Sequence, residues 1–571
     1  MSGRIKIARI FFVALLALIS IRAFDIQILR PDSIISAAHK RFDHTIKLSP
    51  HRGTIFDKSG QPLAISLEVD SIAANPRLIK NPAWAASKLS KTLQIEQRSL
   101  RRKLESDRYF VWIKRHASPD EITTVKSLNI RGIGYYSEAK RFYSESESLA
   151  NVLGIVGIDG HGLEGIELLF DHALKGKERH IEVRKDGLGR IIYARGMPSD
   201  DNKDGNTLWL TIDRRMQYIA FSELEKAVKD NKAKSGFVII TNPMTGEIYA
   251  MSSYPSFNPN IGTYRNLDGH KNRGVVHIFE PGSVIKPFFV SWGLEHKIFK
   301  PSQSIFCENG KITYHRTTIH DHEEYGWLPV RDIIKYSSNI GMVKLFDPVH
   351  AADMYSCLKD FGLISASGID FPGEGNPLVR DSGRWTSVDK ANISFGQGIA
   401  VNGVQLITAF NALINGGMLM KPYLIEHVAD ASGKEILCYR PTIVRKVISK
   451  DTSDEILGIL TSVCSKGGTA EAAAVGGYQV FGKTGTSQKI DPLTGAYSRK
   501  DCIATFIGGV IDATGKPRLT IIASIDEPHP YHFASIVACP LFKRIVEKCA
   551  GIMDLSPAIT VARKGVPNED I

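Results

Sequence analysis

The sequence predicts a mixed α/β (α+β) fold in which an antiparallel sheet is packed by helices. Two strand pairs point to it. Phe237–Thr241, a turn at Met244–Glu247 and Ile248–Met251 spell one hairpin. Ile503–Ile511 and Leu519–Ile525, joined through Ala513-Thr514-Gly515-Lys516-Pro517, spell another. Helical runs lie between them, and strands at both ends with helices between favour segregated helices on an antiparallel sheet. A third observation is an apolar run close to the N-terminus, which predicts a helix ahead of the globular part.

That first element follows Arg4, Lys6 and Arg9 and runs from Ile10 to Ile21 without a charge. It is short for a membrane span, and extends to Leu29 if Arg22 and Asp25 sit at the outer interface. The basic flank predicts a cytoplasmic N-terminus, and no clear A-x-A cleavage site follows. An uncleaved anchor over 7–29 is therefore expected. A polar stretch to Ser49 comes next, and then Arg52–Ala64 is expected as strand, turn and strand about Ser59-Gly60. Residues 82–130 are expected to be mainly helical with charged faces, and a helix is expected after Gly165. Asp200–Asn206 is a polar, turn-rich boundary. Beyond it, Met216–Val228 carries Ile219, Ala220, Leu224, Ala227 and Val228 on one side of an amphipathic helix. Cys539–Ile552 is expected as a closing helix, and the tail from Ser556 as flexible.

Composition narrows the class without deciding it. At 571 residues, with 43% hydrophobic and 23% charged positions, there is room for more than one globular domain. A net charge of +12 fits an anionic surface or polymer, but no nucleic-acid-binding motif accompanies it. None of the seven cysteines forms a C-x-x-C pair, so no zinc ribbon or dithiol motif is indicated. His315, His320, His322, Glu323 and Glu324 cluster in sequence but match no zinc spacing, and no metal is expected there.

The chemistry centres on Phe279-Glu280-Pro281-Gly282-Ser283-Val284-Ile285-Lys286-Pro287. A turn here opens an apolar helix with Ser283 at its start. Lys286, at i+3, shares its face, so the amine can reach the hydroxyl. A serine needs an adjacent base to become a nucleophile, and a lysine serves only if its pKa is lowered. S-x-x-K alone is weak, since Ser387–Lys390 matches it too. Downstream lie an S-x-N at Ser337-Ser338-Asn339, expected in a loop between helices, and a single K-T-G at Lys483-Thr484-Gly485, expected on a strand.

In this order and context the three motifs resemble those of the penicillin-binding proteins and class A β-lactamases, and a membrane anchor with a platform does not fit a free hydrolase. The chain resembles the class B branch, the membrane-anchored peptidoglycan D,D-transpeptidases, over nearly its whole length. Further matching stretches are Arg52-Gly53-Thr54-Ile55-Phe56-Asp57, Gly162–Glu167, Thr211-Ile212-Asp213, Asn242–Glu247, Tyr254–Pro259, Ser394–Ile399 and Asp526-Glu527-Pro528. Lys58, where Arg is more usual, and Ser144, where Pro often follows Arg-x-Tyr, depart from the pattern away from the chemistry. Length and the single anchor look most like the division-specific FtsI type; the elongation-specific branch, or a catalytically poor β-lactam-binding scaffold, is the alternative.

The resemblance implies an anchor at 7–29, a pedestal over 45–205, a serine β-lactamase/transpeptidase-like domain over 206–555 and a tail over 556–571. It implies Ser283 as nucleophile toward a D-Ala-D-Ala stem pentapeptide, with release of D-Ala, and penicillin binding at the same serine, in a transpeptidase or carboxypeptidase. Lys286, Ser337, Asn339 and Lys483 are the implied catalytic partners. Thr484, Gly485 and Thr486 would bind substrate, and the backbone N–H groups of Ser283 and Thr486 would form the oxyanion hole. No cofactor is implied. The implied setting is septal wall synthesis at the plasma membrane, in a single-pass protein with its catalytic domain outside, beside an FtsW-type glycosyltransferase and other division proteins.

Overall fold

The computed structural model describes residues 2–29, 43–48, 50–177, 179–185, 191–195, 204–261, 267–491 and 494–553. The tail expected from Ser556 and most of the Asp200–Asn206 boundary lie outside them. The chain divides into two compact units, Met1–His51 with Lys175–Gly205, and Arg52–Leu174 with Asn206–Ile571. The first holds the helix Ser2–Phe24, which continues as a π-helical turn over Asp25–Leu29. Gly3–Ile28 is long and apolar enough to cross a membrane, and Arg22 pairs with Asp25 at 2.8 Å near its end. The same unit holds an antiparallel sheet in the order Asp43–Leu48, Arg179–Lys185, Ile191–Arg195.

The second unit is organised on a five-stranded antiparallel sheet. Its order is Ile248–Tyr254, Ser235–Thr241, Pro517–Asp526, Tyr497–Ile511, Gln479–Ile490. Both expected hairpins are present, and they meet where Ser235–Thr241 pairs with Pro517–Asp526, Asp526 opposite Ser235 and Thr520 opposite Thr241. Every residue of Ser235–Thr241 is buried, so both faces of the sheet are covered. Arg214–Asp230 and Ala534–Cys549 pack on each other and on the sheet, as does the apolar helix Gly403–Ile414. Asp213 caps the first of these, accepting from the Arg215 and Met216 amides. The closing helix starts at Ala534, five residues before the expected Cys539, and carries Pro540 inside it. Apolar residues on both sides of Pro540, among them Val537, Leu541 and Phe542, are buried and hold the helix through the proline.

Arg52–Leu174 packs against this body. Ile55–Phe56 and Pro62–Ala74 pair about Ser59-Gly60 as expected, with Asp57 accepting from the Ser59 and Gln61 amides. Pro62–Ala74 also pairs along its length with Ile133–Tyr143. Residues 82–130 hold the helices Pro82–Leu93, Gln97–Leu104 and Pro119–Ser127, but also a strand, Val111–Lys114. Its alternating burial and its pairing with Ile72–Ala74 explain the departure from the helical expectation. A separate small core that includes Leu89, Leu93, Leu100, Leu104, Ile113 and Val125 lies beneath these helices.

One carboxylate joins three stretches that are distant in sequence. Glu167, fully buried, accepts from Arg52 Nε through Oε2 and from Arg141 Nε through Oε1, each at 2.6 Å. Arg52 also donates to Glu167 O at 2.7 Å and Asp171 Oδ1 at 2.6 Å. Removing one member of a buried ion pair leaves the other charge without compensation. Glu167→Ala is expected to destabilise this unit by about 3–5 kcal/mol, read as a loss of thermal stability, whereas the exposed Arg101→Ala is expected to leave it unchanged.

Candidate active site

The Ser283 turn begins at Gly282, whose φ of +54° is one a side chain resists. A single 3₁₀ turn, Gly282–Ile285, leads into the α-helix Lys286–Glu295, so the α-helix proper starts three residues after Ser283. Pro287 sits in its first turn, where a missing N–H costs nothing. The turn is pinned from behind by Gly282 N–H donating to Gly396 O at 3.1 Å. The approach is so close that a Cβ on Gly396 would stand 2.0 Å from Gly282 O. Ser283 itself is partly exposed.

Three segments converge on one hydroxyl. Lys286 and Lys483 are both wholly buried. Lys286 Nζ donates to Ser337 O at 2.6 Å and to Asn339 Oδ1 at 2.7 Å, and lies 3.3 Å from Ser337 Oγ. Lys483 Nζ reaches the same Ser337 Oγ from the strand Gln479–Ile490 at 3.0 Å. The amine expected to reach Ser283 Oγ therefore makes its hydrogen bonds across the cleft, to Ser337 and Asn339. Burial pushes the Lys286 ammonium far below the ordinary lysine range, and the charge of Lys483 adds to this against a smaller opposing effect of Asp321. Burial likewise brings Lys483 down to about 7, despite the Cys539 and Cys464 sulfurs nearby.

The S-x-N segment lies where expected, between the helices Val330–Lys335 and Asn339–Phe346. Ser337 takes a left-handed φ of +60°, which turns the chain sharply between the two. Ser338 is the helix cap, its Oγ accepting from Gly341 N–H at 2.9 Å. K-T-G lies on a strand, and burial alternates there. Lys483 and Gly485 are buried, while Thr484 and Thr486 are partly open. Gly485 is needed for packing, since a Cβ would meet Pro281 O at 2.7 Å and Val284 Cγ2 at 2.8 Å. A Cβ on Gly282 would lie 3.4 Å from Thr486 O, so the Ser283 turn and the Thr486 backbone adjoin. The stray S-x-x-K at Ser387–Lys390 is elsewhere, with Lys390 Nζ on Asp347 O.

Asp321 is the residue that motif reading passed over. It sits within the run His320–Glu324. Its Oδ1 accepts from the Asn339 amide at 2.5 Å and the Ile340 amide at 3.0 Å, and its Oδ2 from Ser338 Oγ at 2.5 Å. One side chain thus fixes the entry to the helix that carries Asn339. Its signal in the sequence was only a carboxylate in a histidine-rich hairpin. Of its neighbours, His320 offers its carbonyl to Asn339 Nδ2 at 3.0 Å, and His322 meets the Phe533 ring edge-on at 5.9 Å between centroids. Among the described residues no group of three or more His, Cys, Asp or Glu side chains is arranged to hold a metal ion. All seven cysteines are free thiols, six of them buried. Asp321→Ala should leave three donors unpaired and slow covalent labelling of the chain by a fluorescent penicillin by at least about tenfold, with a smaller loss for Asp321→Asn.

The penicillin binding protein transpeptidase domain matches residues 236–547, and the penicillin-binding protein dimerisation domain matches residues 47–210. The chain is 32% identical over 574 aligned residues to the probable peptidoglycan D,D-transpeptidase PenA of Neisseria meningitidis serogroup A, covering 99% of this chain and 96% of that one. It is 30% identical to the peptidoglycan D,D-transpeptidase FtsI of Escherichia coli K12, covering 94% and 90%. The crystal structure of a peptidoglycan synthetase from Bifidobacterium adolescentis shares the fold, with a TM-score of 0.71 at 23% identity over 91% of this chain and 98% of that one. With both domains matched in order, and relatives aligned from end to end, the chain belongs to the class B penicillin-binding proteins of the FtsI-like kind.

Proposed function

We propose that the protein is a serine-type peptidoglycan D,D-transpeptidase working through an acyl-Ser283 intermediate. The observation that carries this is the convergence on Ser337 Oγ of two wholly buried lysines, Lys483 and Lys286, the latter one turn after Ser283. A lysine held neutral by burial can accept a proton. Neutral Lys286 has two N–H donors, matched by its two short contacts to Ser337 O and Asn339 Oδ1. Its lone pair is then left for the Ser283 hydroxyl proton as Oγ attacks the penultimate D-Ala carbonyl.

The remaining roles follow. Ser337 Oγ lies between the two amines and passes that proton to the departing D-Ala nitrogen. Lys483, with the Thr484 and Thr486 hydroxyls on the open side of the strand, binds the terminal carboxylate. Asn339 holds the substrate amide, and the Ser283 and Thr486 N–H groups receive the oxyanion, worth about 3–4 kcal/mol per donor. A neighbouring stem peptide's amine completes the cross-link; water in its place gives carboxypeptidase action. β-Lactams acylate the same serine. The end-to-end match to FtsI and PenA supports a septal role beside an FtsW-type polymerase, and the basic flank of Ser2–Phe24 supports a cytoplasmic N-terminus with the catalytic part outside.

Intact-mass analysis after incubation with benzylpenicillin should show one stable adduct on Ser283. Ser283→Ala should show none while keeping its circular dichroism; an adduct on that variant overturns the assignment. The pH dependence has a defined sign. Lys286 must be neutral and its pKa is lowered, so the second-order acylation constant rises as pH climbs through the Lys286 titration. Lys483 must be protonated to draw the carboxylate, so the constant falls again as pH passes about 7. A stopped-flow profile from pH 4 to pH 10 reads both limbs, and a flat profile contradicts the lysine assignments.

A further inference from the structure

At the end of the central sheet where Ser235 stands opposite Asp526 lies a cavity of about 340 Å³ that none of the roles above uses. A volume of this size is enough for a small molecule. Phe237, Phe279 and Ile503 contribute apolar surface to it, and Arg273, His277 and Asp526 contribute polar groups. Ser283, Lys286, Ser337 and Lys483 are not part of its lining, so its chemistry is separate from that of the reaction.

Two donors in this lining lack acceptors. Arg273 is only 2% exposed. Its Nη1 donates to Pro255 O at 3.2 Å, and its Nη2 donates to Asp268 O at 3.1 Å and Asp268 Oδ2 at 2.5 Å. Its Nε is buried and finds no acceptor among the described residues. The Asp268 side chain is 55% exposed, and burial holds the guanidinium below its ordinary range in spite of that pairing. A buried donor without an acceptor is a standing cost. His277 lies one turn on, its backbone N–H donating to Arg273 O at 3.2 Å, and its ring nitrogens have no partner among the described residues. Burial, and then the charge of Arg273, keep the ring below its ordinary range, and a neutral imidazole keeps one N–H to donate. Lys489, also in the lining, is engaged by Asp526 at 2.9 Å and Glu527 at 2.6 Å. The lining thus carries two cations, Arg273 and Lys489, against one carboxylate, Asp526.

We propose that this cavity is a binding site for a small monocarboxylate with an apolar body. The carboxylate accepts from Arg273 Nε and from the His277 ring N–H, and the body lies against Phe237, Phe279 and Ile503. Arginine is the cation best matched to a carboxylate away from water, because its donors are fixed in one plane. The incoming charge offsets what burial leaves uncompensated on Arg273, and its two oxygens serve both donors at once. One negative charge matches the single excess positive charge of the lining. A second would meet Asp526, so dianions are disfavoured. The ligand sits where the first and last hairpins of the sheet join, an arrangement only the folded chain has, so occupancy stabilises the fold. This inference does not rest on the transpeptidase reading.

The test uses the full chain with hexanoate as the probe, and hexanol and hexylammonium as controls of the same length. Thermal unfolding and titration calorimetry are run on the native chain and on chain incubated beforehand with benzylpenicillin. Hexanoate is expected to bind with a Kd of about 1 mM or tighter. At ten times its Kd it should raise the unfolding temperature by at least about 2 °C, with or without benzylpenicillin, and the controls by less than half as much. His277→Phe keeps the ring and removes its N–H, and should weaken hexanoate at least about tenfold. Arg273→Lys keeps the charge and removes Nε, and should do the same; if that variant does not fold, His277→Phe decides alone. Absence of a saturable hexanoate shift overturns the site. An equal shift with hexanol or hexylammonium overturns it, since the cavity then does not read the charge. A shift abolished by benzylpenicillin places the carboxylate in the Ser283 cleft and overturns it too, as does an unchanged Kd in His277→Phe.

Discussion

Two lysine side chains held out of water beside each other are the arrangement on which the rest of the molecule depends. An isolated ammonium in an apolar interior is costly, and a protein meets the cost by lowering the pKa until one or both groups shed a proton. Burial does this to both Lys286 and Lys483, and the charge of Lys483 adds to it at Lys286. Holding them there takes three pieces of chain at once. The Ser283 helix supplies one amine, the strand Gln479–Ile490 the other, and the turn at Ser337 the oxygen between them. Gly485 lets the strand approach the helix, and Asp321 fixes the turn. A change in any of these alters the setting of the lysines, and with it the lowering of the Lys286 pKa.

The platform segment follows a different logic. Its motifs hold no reactive group, and what they share is a buried carboxylate with two arginines around it. Charge is stabilised there by pairing, whereas burial around Ser337 disfavours it on the two lysines.

Much of the site was legible in the sequence because its motifs are local backbone events. A turn into a helix, a turn between helices and a strand each need particular residues at fixed short spacings, and Ser283, Ser337 and Lys483 stand in those settings. Asp321 was not legible, because its partners Ser338 and Asn339 are brought to it by the hairpin and no short spacing marks it. Two acceptors of Lys286 were not legible for a related reason. Helical spacing says which face the amine shares with Ser283, but the stronger acceptors come from residues some fifty positions on. In the fold, the hairpins showed in their alternation and turns. The strand Val111–Lys114 was hidden between charged helices, where four residues carry too little periodicity, and Pro540 masked the true start of the closing helix.

The order of strands in the central sheet also has a consequence in time. The strand with Lys483 joins the early hairpin only through Tyr497–Ile511 and Pro517–Asp526, the last of which pairs with Ser235–Thr241. Ser235 and Asp526 meet across 291 positions of sequence. During synthesis, therefore, the Ser283 helix emerges some two hundred residues before the strand that seats its second lysine can be locked in place. Until then Lys286 has no neighbouring cation and no closed interior around it, so it keeps its proton. Only as the sheet closes does the surrounding form that lowers its pKa.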